Sequence, residues 1–265
     1  MRYSRQSEVD RAGFTLMELV VVLLIIATLA ALAIPVVAML GRSSDMAASA
    51  KTQADLAHNI QMFFLLQKRY PQGLDSLIDT SGQIYTADTT NPNTQTHGLP
   101  YGGAYGTRLQ DQLQTWQIDN SNGQEYFRSF SRSGFDWVYT HDRAVANSNN
   151  SGTTQVPLAS GMTVAEVIPT GILAANLVPQ GLQAGQRLIA LGVGPRNTAV
   201  GKTITNCPIY PGCDGSYYGR YVAVFMVYAN GKRATLVGVI DSYGRFNDYT
   251  IQQFNESMPD GSRQG

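Results

Sequence analysis

Few residues of this sequence are spaced as catalysis would need them. Cys207 and Cys213 lie in the loop NCPIYPGCDG, which has two prolines and a glycine and no C-x-x-C spacing. In an exported protein they would close a small structural disulfide, with two free thiols as the alternative. His58, His97 and His141 are scattered and form neither a Ser-His-Asp nor a metal-ligand spacing, so they read as surface or capping residues. Gly201-Lys202-Thr203 has the look of a phosphate loop. However, six residues separate Gly194 from Gly201, and the following ITNCPIYPGC cannot form the required helix. Asp241, Asn247 and Asp248 place acidic and amide side chains around a turn, without the spacing or closing Glu of an EF-hand. Glu18 is different, because its surroundings make it expensive.

Glu18 stands between Met17 and Leu19, at the head of LVVVLLIIATLAALAIPVVAML, the 22 uncharged residues 19–40. A helix of that length spans roughly 33 Å at ~1.5 Å per residue, about a bilayer's hydrocarbon thickness. An acidic side chain inside such a span costs a few kcal/mol, so Glu18 needs a partner. Pro35 should kink or locally unwind the helix. Arg2, Arg5 and Arg11 against Glu8 and Asp10 give the segment before Phe14 a basic end. The positive-inside rule holds that end in the cytoplasm and exports the rest. A secretory signal peptide cut near Ala31-Leu32-Ala33 competes with this reading, but the apolar run continues through the cut. A plain anchor leaves Glu18 and Pro35 without a purpose. A lipoprotein is excluded because no cysteine follows the run.

The elements beyond the apolar run must form a domain. The 265 residues carry 19 Lys+Arg and 19 Asp+Glu, and only 14% of the chain is charged, against roughly 25% in an ordinary soluble domain. That balance speaks against nucleic acid held by a broad basic field. Met46, Ala50, Ala54, Ala57, Ile60 and Phe64 recur at helical steps, and Tyr70-Pro71 ends the pattern. One helix over residues 14–69, roughly 80 Å long, follows. Residues 80–125 read as loop with an apolar piece near 113–118. Residues 125–140 read as two short strands around 131–134, and 144–161 as a polar linker. Residues 162–183 are open between helix and loop, and 187–193 read as a buried strand. The run YVAVFMVYA, then Asn230-Gly231, then residues 232–240 predicts a hairpin with a type I′ turn. The fold class is α+β: a long N-terminal helix on a C-terminal antiparallel sheet with long loops.

Gly13-Phe14-Thr15-Leu16-Met17-Glu18-Leu19, followed by the apolar run and Pro35, resembles the N-terminus of type IV pilins and type II secretion pseudopilins. The resemblance covers about residues 2–70. It implies a prepilin peptidase that cuts after Gly13 and methylates the new amino terminus at Phe14. Glu18 would then meet that ammonium, within a subunit or on its neighbour, as subunits enter a filament. The implied architecture is pilin-like: leader 1–13, membrane and filament-core half 14–40, amphipathic half 41–70, globular domain 71–265. The implied partners are like subunits, the peptidase, an inner-membrane assembly platform and, before assembly, lipid. The filament takes the exported domain outside the inner membrane, and the chain is no enzyme. Tyr70-Pro71-Gln72-Gly73-Leu74 resembles the turn after this helix in secretion pseudopilins, which favours a type II secretion subunit over a pilus subunit for adhesion, twitching or DNA uptake. Such pseudopilins often hold calcium in a C-terminal loop, so Asp241, Asn247 and Asp248 are the calcium candidates, with a solvated turn as the competing reading. No other cofactor is implied. A single-span anchored binding domain is the alternative of another class.

Overall fold

The computed structural model describes residues 16–86, 98–99, 109–119, 125–141, 152–211 and 218–246, without the side chains of 32–39 and 41–42. By its internal contacts the chain divides into two compact units, Met1–Ser44 and Asp45–Gly265. The helix α1 (Leu16–Gln67) contributes to both.

In the first unit α1 runs unbroken through Pro35, so the local unwinding expected there is not seen. Its described apolar side chains, from Leu16 to Leu29, are exposed on every face. Thr28 satisfies its hydroxyl by donating to the Ile25 carbonyl at 2.9 Å, so it presents no unpaired polar group. Among the described residues no helix is long and apolar enough to cross a membrane; within the apolar run the side chains of 32–39 are not among those described.

In the second unit the helix buries Ser49, Gln53, Leu56, Ile60 and Phe63, four and three residues apart. This face is rotated from the expected one: Ala54 is exposed, and Met46, Ala50 and Phe64 are only half-buried. The polar pair explains the shift. Gln53 donates to the Ser49 hydroxyl at 3.3 Å and to the Arg245 carbonyl at 3.2 Å, so two polar side chains can face the domain where periodicity sought apolar ones.

The sheet has eight strands: β1 (Asp75–Asp79), β2 (Leu113–Gln117), β3 (Trp137–His141), β4 (Thr154–Pro157), β5 (Thr163–Val167), β6 (Gln186–Gly192), β7 (Val222–Tyr228) and β8 (Thr235–Ile240). It is mixed and not purely antiparallel, because β1 runs parallel to β3. The remaining ladders, β2–β5, β5–β6, β1–β6, β6–β7, β7–β8 and β3–β4, are antiparallel. All seven residues of β6 pair with β7, so its other edge is shared, by β5 at Ile189 and by β1 at Gly192.

Alternation along β6 and β7 sends side chains to two cores. Ile189, Leu191, Ala223, Phe225 and Val227 join Leu56, Ile60 and Phe63 of α1. Leu188, Ala190, Val222 and Val224 join Leu173, Ala174 and Leu177 of the short helix α3 (Ile172–Leu177). Both faces are covered, as the unbroken apolar runs require.

Three local expectations are corrected. Residues 126–133 form the helix α2 (Tyr126–Ser133), not strands. Tyr126, Ser129, Phe130 and Ser133 are its buried side, and Gly134 closes it in the left-handed conformation (φ 84°). The supposed linker contains β4, and 162–183 contains β5 as well as α3. Asn230-Gly231 is not a type I′ turn, since only Gly231 of the two has positive φ. The six-residue connection 229–234 is instead tied to α2. Ala234 N–H donates to the Ser133 hydroxyl at 2.6 Å, and Arg132 Nη1 donates to the Gly231 carbonyl at 2.9 Å.

Candidate functional site

Glu18 occupies the first turn of α1, exposed in the isolated chain, where the helix presents its positive dipole end and unpaired N–H groups. Twelve of the exposed large apolar residues of α1 follow or flank it, from Leu16 through Leu29 to Leu40. A helix apolar all round is stable only when something apolar surrounds it. Gly13 and Phe14, the expected cleavage and methylation positions, lie outside the described residues, and so does the side chain of Pro35.

The other sequence candidates do not converge. Asp241 is buried, and both of its oxygens are in use. Oδ1 accepts from the N–H groups of Tyr243 and Arg245 at 3.0 and 2.9 Å, and Oδ2 accepts from Arg245 Nε at 2.9 Å. Burial raises its pKa, with Arg245 opposing. The guanidinium, lying 4.9 Å from the Tyr210 ring and 5.3 Å from the Tyr243 ring, already neutralises this carboxylate. Asp241 therefore does not fit the part of an open calcium ligand; Asn247 and Asp248 lie outside the described residues. Among the described residues no group of three His, Cys, Asp or Glu could hold a metal ion.

Cys207 is a free thiol that donates to the Val193 carbonyl, and burial pushes its pKa up to about 11. Its expected partner Cys213 lies outside the described residues. His58 is exposed. His97 is not among the described residues. His141 is buried, stacked on Tyr85 at 4.0 Å, and its Nε2 has no hydrogen-bond partner among the described residues. Burial lowers its pKa to about 3. Lys202 is exposed in a turn and lies 5.6 Å from the Phe63 ring, with no phosphate cradle around it.

Sequence reasoning missed three buried carboxylates; Asp79 closes a local turn by accepting from Ser81 and Gln83, and the other two join strands. Glu166 on β5 accepts from Arg187 Nη1 and from Gln114 Nε2, each at 2.7 Å, while Arg187 lies 4.8 Å from the Trp116 ring. Asp75 on β1 accepts from Gly152 N–H at 3.0 Å and from the Tyr218 hydroxyl at 2.9 Å; burial raises its pKa to about 7. Gly192 and Gly194 make room for this pair, since a Cβ at either would fall on Tyr218 or Asp75. Glu166 was visible as one charge inside the apolar run TVAEV, whereas Asp75 carried no such mark. Both are closed off by their donors. Their role is to hold strands together.

What distinguishes this chain is thus an acidic residue heading the apolar run of α1, and the family comparison bears on that segment. Residues 10–34 match the prokaryotic N-terminal methylation motif. The chain carries a prepilin-type N-terminus. This motif is the hallmark of type IV pilin and pseudopilin signals, and it contains Gly13, Phe14 and Glu18. No curated protein and no solved structure matches the chain. The prepilin-type motif therefore characterises the N-terminal segment alone.

Proposed function

We propose that this protein is a structural subunit of a type IV filament, most specifically a pseudopilin of a type II secretion system. The observation that carries the reading is the methylation motif at residues 10–34 leading into a helix whose apolar side chains from Leu16 to Leu29 are exposed on every face. Lipid covers such a helix before assembly, and the helices of neighbouring subunits replace the lipid afterwards. Cleavage after Gly13 frees an amino group at Phe14 that is largely protonated at neutral pH, and Glu18 supplies its counter-charge. The chain contributes a packed domain and a helix, and the work of extrusion comes from other proteins.

The secretion subtype draws support from the turn after α1. Tyr70 is buried and accepts the Leu236 N–H at 3.0 Å, Gly73 has φ 72° against the Trp137 ring, and Leu74 is fully buried. A pilus subunit for adhesion, twitching or DNA uptake is the runner-up.

Mass spectrometry of the N-terminal peptide of membrane-purified protein tests the reading. The expected mature terminus is N-methylated Phe14. A peptide beginning at Met1 or Arg2 would indicate a simple anchor, and one beginning near Ile34 a secreted domain. Either finding defeats the filament assignment.

A further inference from the structure

The chain is neutral overall, yet its charge is not evenly spread. Lys68 and Arg69 follow α1, Arg128 and Arg132 lie on α2, and Lys232 and Arg233 lie on the β7–β8 connection. All six are exposed, and they are half of the 12 basic residues described between 45 and 246. The backbone draws these three segments together. Tyr70 N–H donates to the Ser133 carbonyl at 2.7 Å, and Glu125 N–H donates to the Ala229 carbonyl at 2.8 Å. A Cβ at Gly134 would fall 2.3 Å from the Arg69 Cβ, and one at Gly231 would fall 3.1 Å from the Arg128 Cβ. The basic side chains therefore share one surface on a rigid base.

Three acidic residues lie nearby and offset half of that charge. Glu125 pairs with Arg128 at 2.8 Å, Asp119 accepts the Phe127 N–H at 2.8 Å, and Asp136 accepts from Gln72. Positive charge is left in excess.

We propose that this surface binds the phosphate backbone of nucleic acid. Four of its six cations are arginines, whose planar forks match phosphate oxygens. Arg128 and Arg132 are one helical turn apart on α2, roughly 6 Å, a reach that serves neighbouring phosphates of one strand. Apart from Met62, Leu65 and Leu66 in the last turns of α1, none of the exposed large apolar residues lies in these three segments, so apolar area borders the surface at its α1 edge and does not form its centre. Contacts of this kind position a nucleic acid without reading its sequence. The inference concerns the second unit alone and does not depend on the filament reading.

The test uses the full chain in non-ionic detergent and a short labelled DNA duplex of mixed sequence, followed by fluorescence anisotropy. With about four phosphate contacts, affinity should fall on the order of 10²-fold between about 50 and about 200 mM salt. The triple variant Lys68→Glu, Lys232→Glu, Arg233→Glu should lose at least tenfold. Lys51→Glu, Arg196→Glu, Lys202→Glu makes the same net charge change elsewhere and should lose little, circular dichroism confirming that both variants are folded. Equal losses in the two triples would reduce the effect to net charge and overturn the proposal. So would no binding by the wild type, or displacement of the duplex by poly-glutamate at equal charge.

Discussion

Residues 16–29 of α1 and strands β6 and β7 are almost equally apolar, yet they end in opposite environments. The strand side chains Ile189, Leu191, Val224 and Phe225 are fully buried, because α1 covers one face of the sheet and α3 the other. The α1 residues Leu19, Leu23, Leu24 and Ile26 are more than half exposed, and nothing in the described chain covers them. The strands complete their hydrophobic contacts within one polypeptide, whereas the helix can complete its own only with lipid or other molecules. A long apolar segment thus says that burial is needed, and the tertiary structure says whether the chain supplies it.

The largest test of this contrast is Phe225→Ala. Its ring contacts Tyr70 at 5.0 Å and Phe135 at 4.8 Å between centroids, in a core with no room to relax cheaply. A loss of about 3–5 kcal/mol is expected, seen as a lowered denaturation midpoint. Leu24→Ala deletes a similar amount of apolar surface from α1 and should leave that midpoint within about 0.5 kcal/mol. If the two substitutions cost the same, the contrast fails.

Next in size is Glu18→Ala. The leader should still be removed, while filament yield falls more than tenfold, measured in sheared surface fractions, because the new terminal cation loses its partner. Normal yield would show that Glu18 serves only its own helix.

A smaller effect sharpens the account of the second unit. Asp75 has a folded pKa of about 7 against 3.8, so between those values the folded state holds the extra proton, and its term makes stability fall as pH rises. His141 has a folded pKa of about 3 against 6.5, so the unfolded state holds the extra proton there, and its term makes stability fall as pH drops. The two slopes oppose each other between about 4 and 6.5. His141→Gln removes one of them, so relative to the wild type its thermal midpoint should gain as pH is lowered from 6.5 to 4. Parallel pH profiles would refute the assignment.

Legibility followed the range of the interactions. The methylation segment was readable because its residues act through local spacing: Gly13, Glu18 and the apolar run sit in one stretch. Strands β6 and β7 were readable for a similar reason. The helix α2 was misread although Gly134 sits where a left-handed cap belongs, since YFRSFSRS alternates well enough to pass for strand. The buried stripe of α1 was misplaced because Ser49 and Gln53 become buriable only through hydrogen bonds, one of them to Arg245, 192 residues away. Net charge misled in its own way: a sum of zero over the chain hid a basic surface assembled from three distant segments.

From the sequence alone follow the prepilin-type N-terminus, the need of residues 19–40 for an apolar surrounding, and the presence of buried strands in the C-terminal half. These depend on covalent order, helical spacing and transfer free energy, all of which are local. Only the tertiary structure decided that β1 runs parallel to β3, that Asp241 is occupied by Arg245, that Asp75 is sealed by Tyr218 and Gly152, and that six cations share one surface. Those outcomes depend on which distant segments meet, and a partner many residues away leaves no periodicity by which to foresee it.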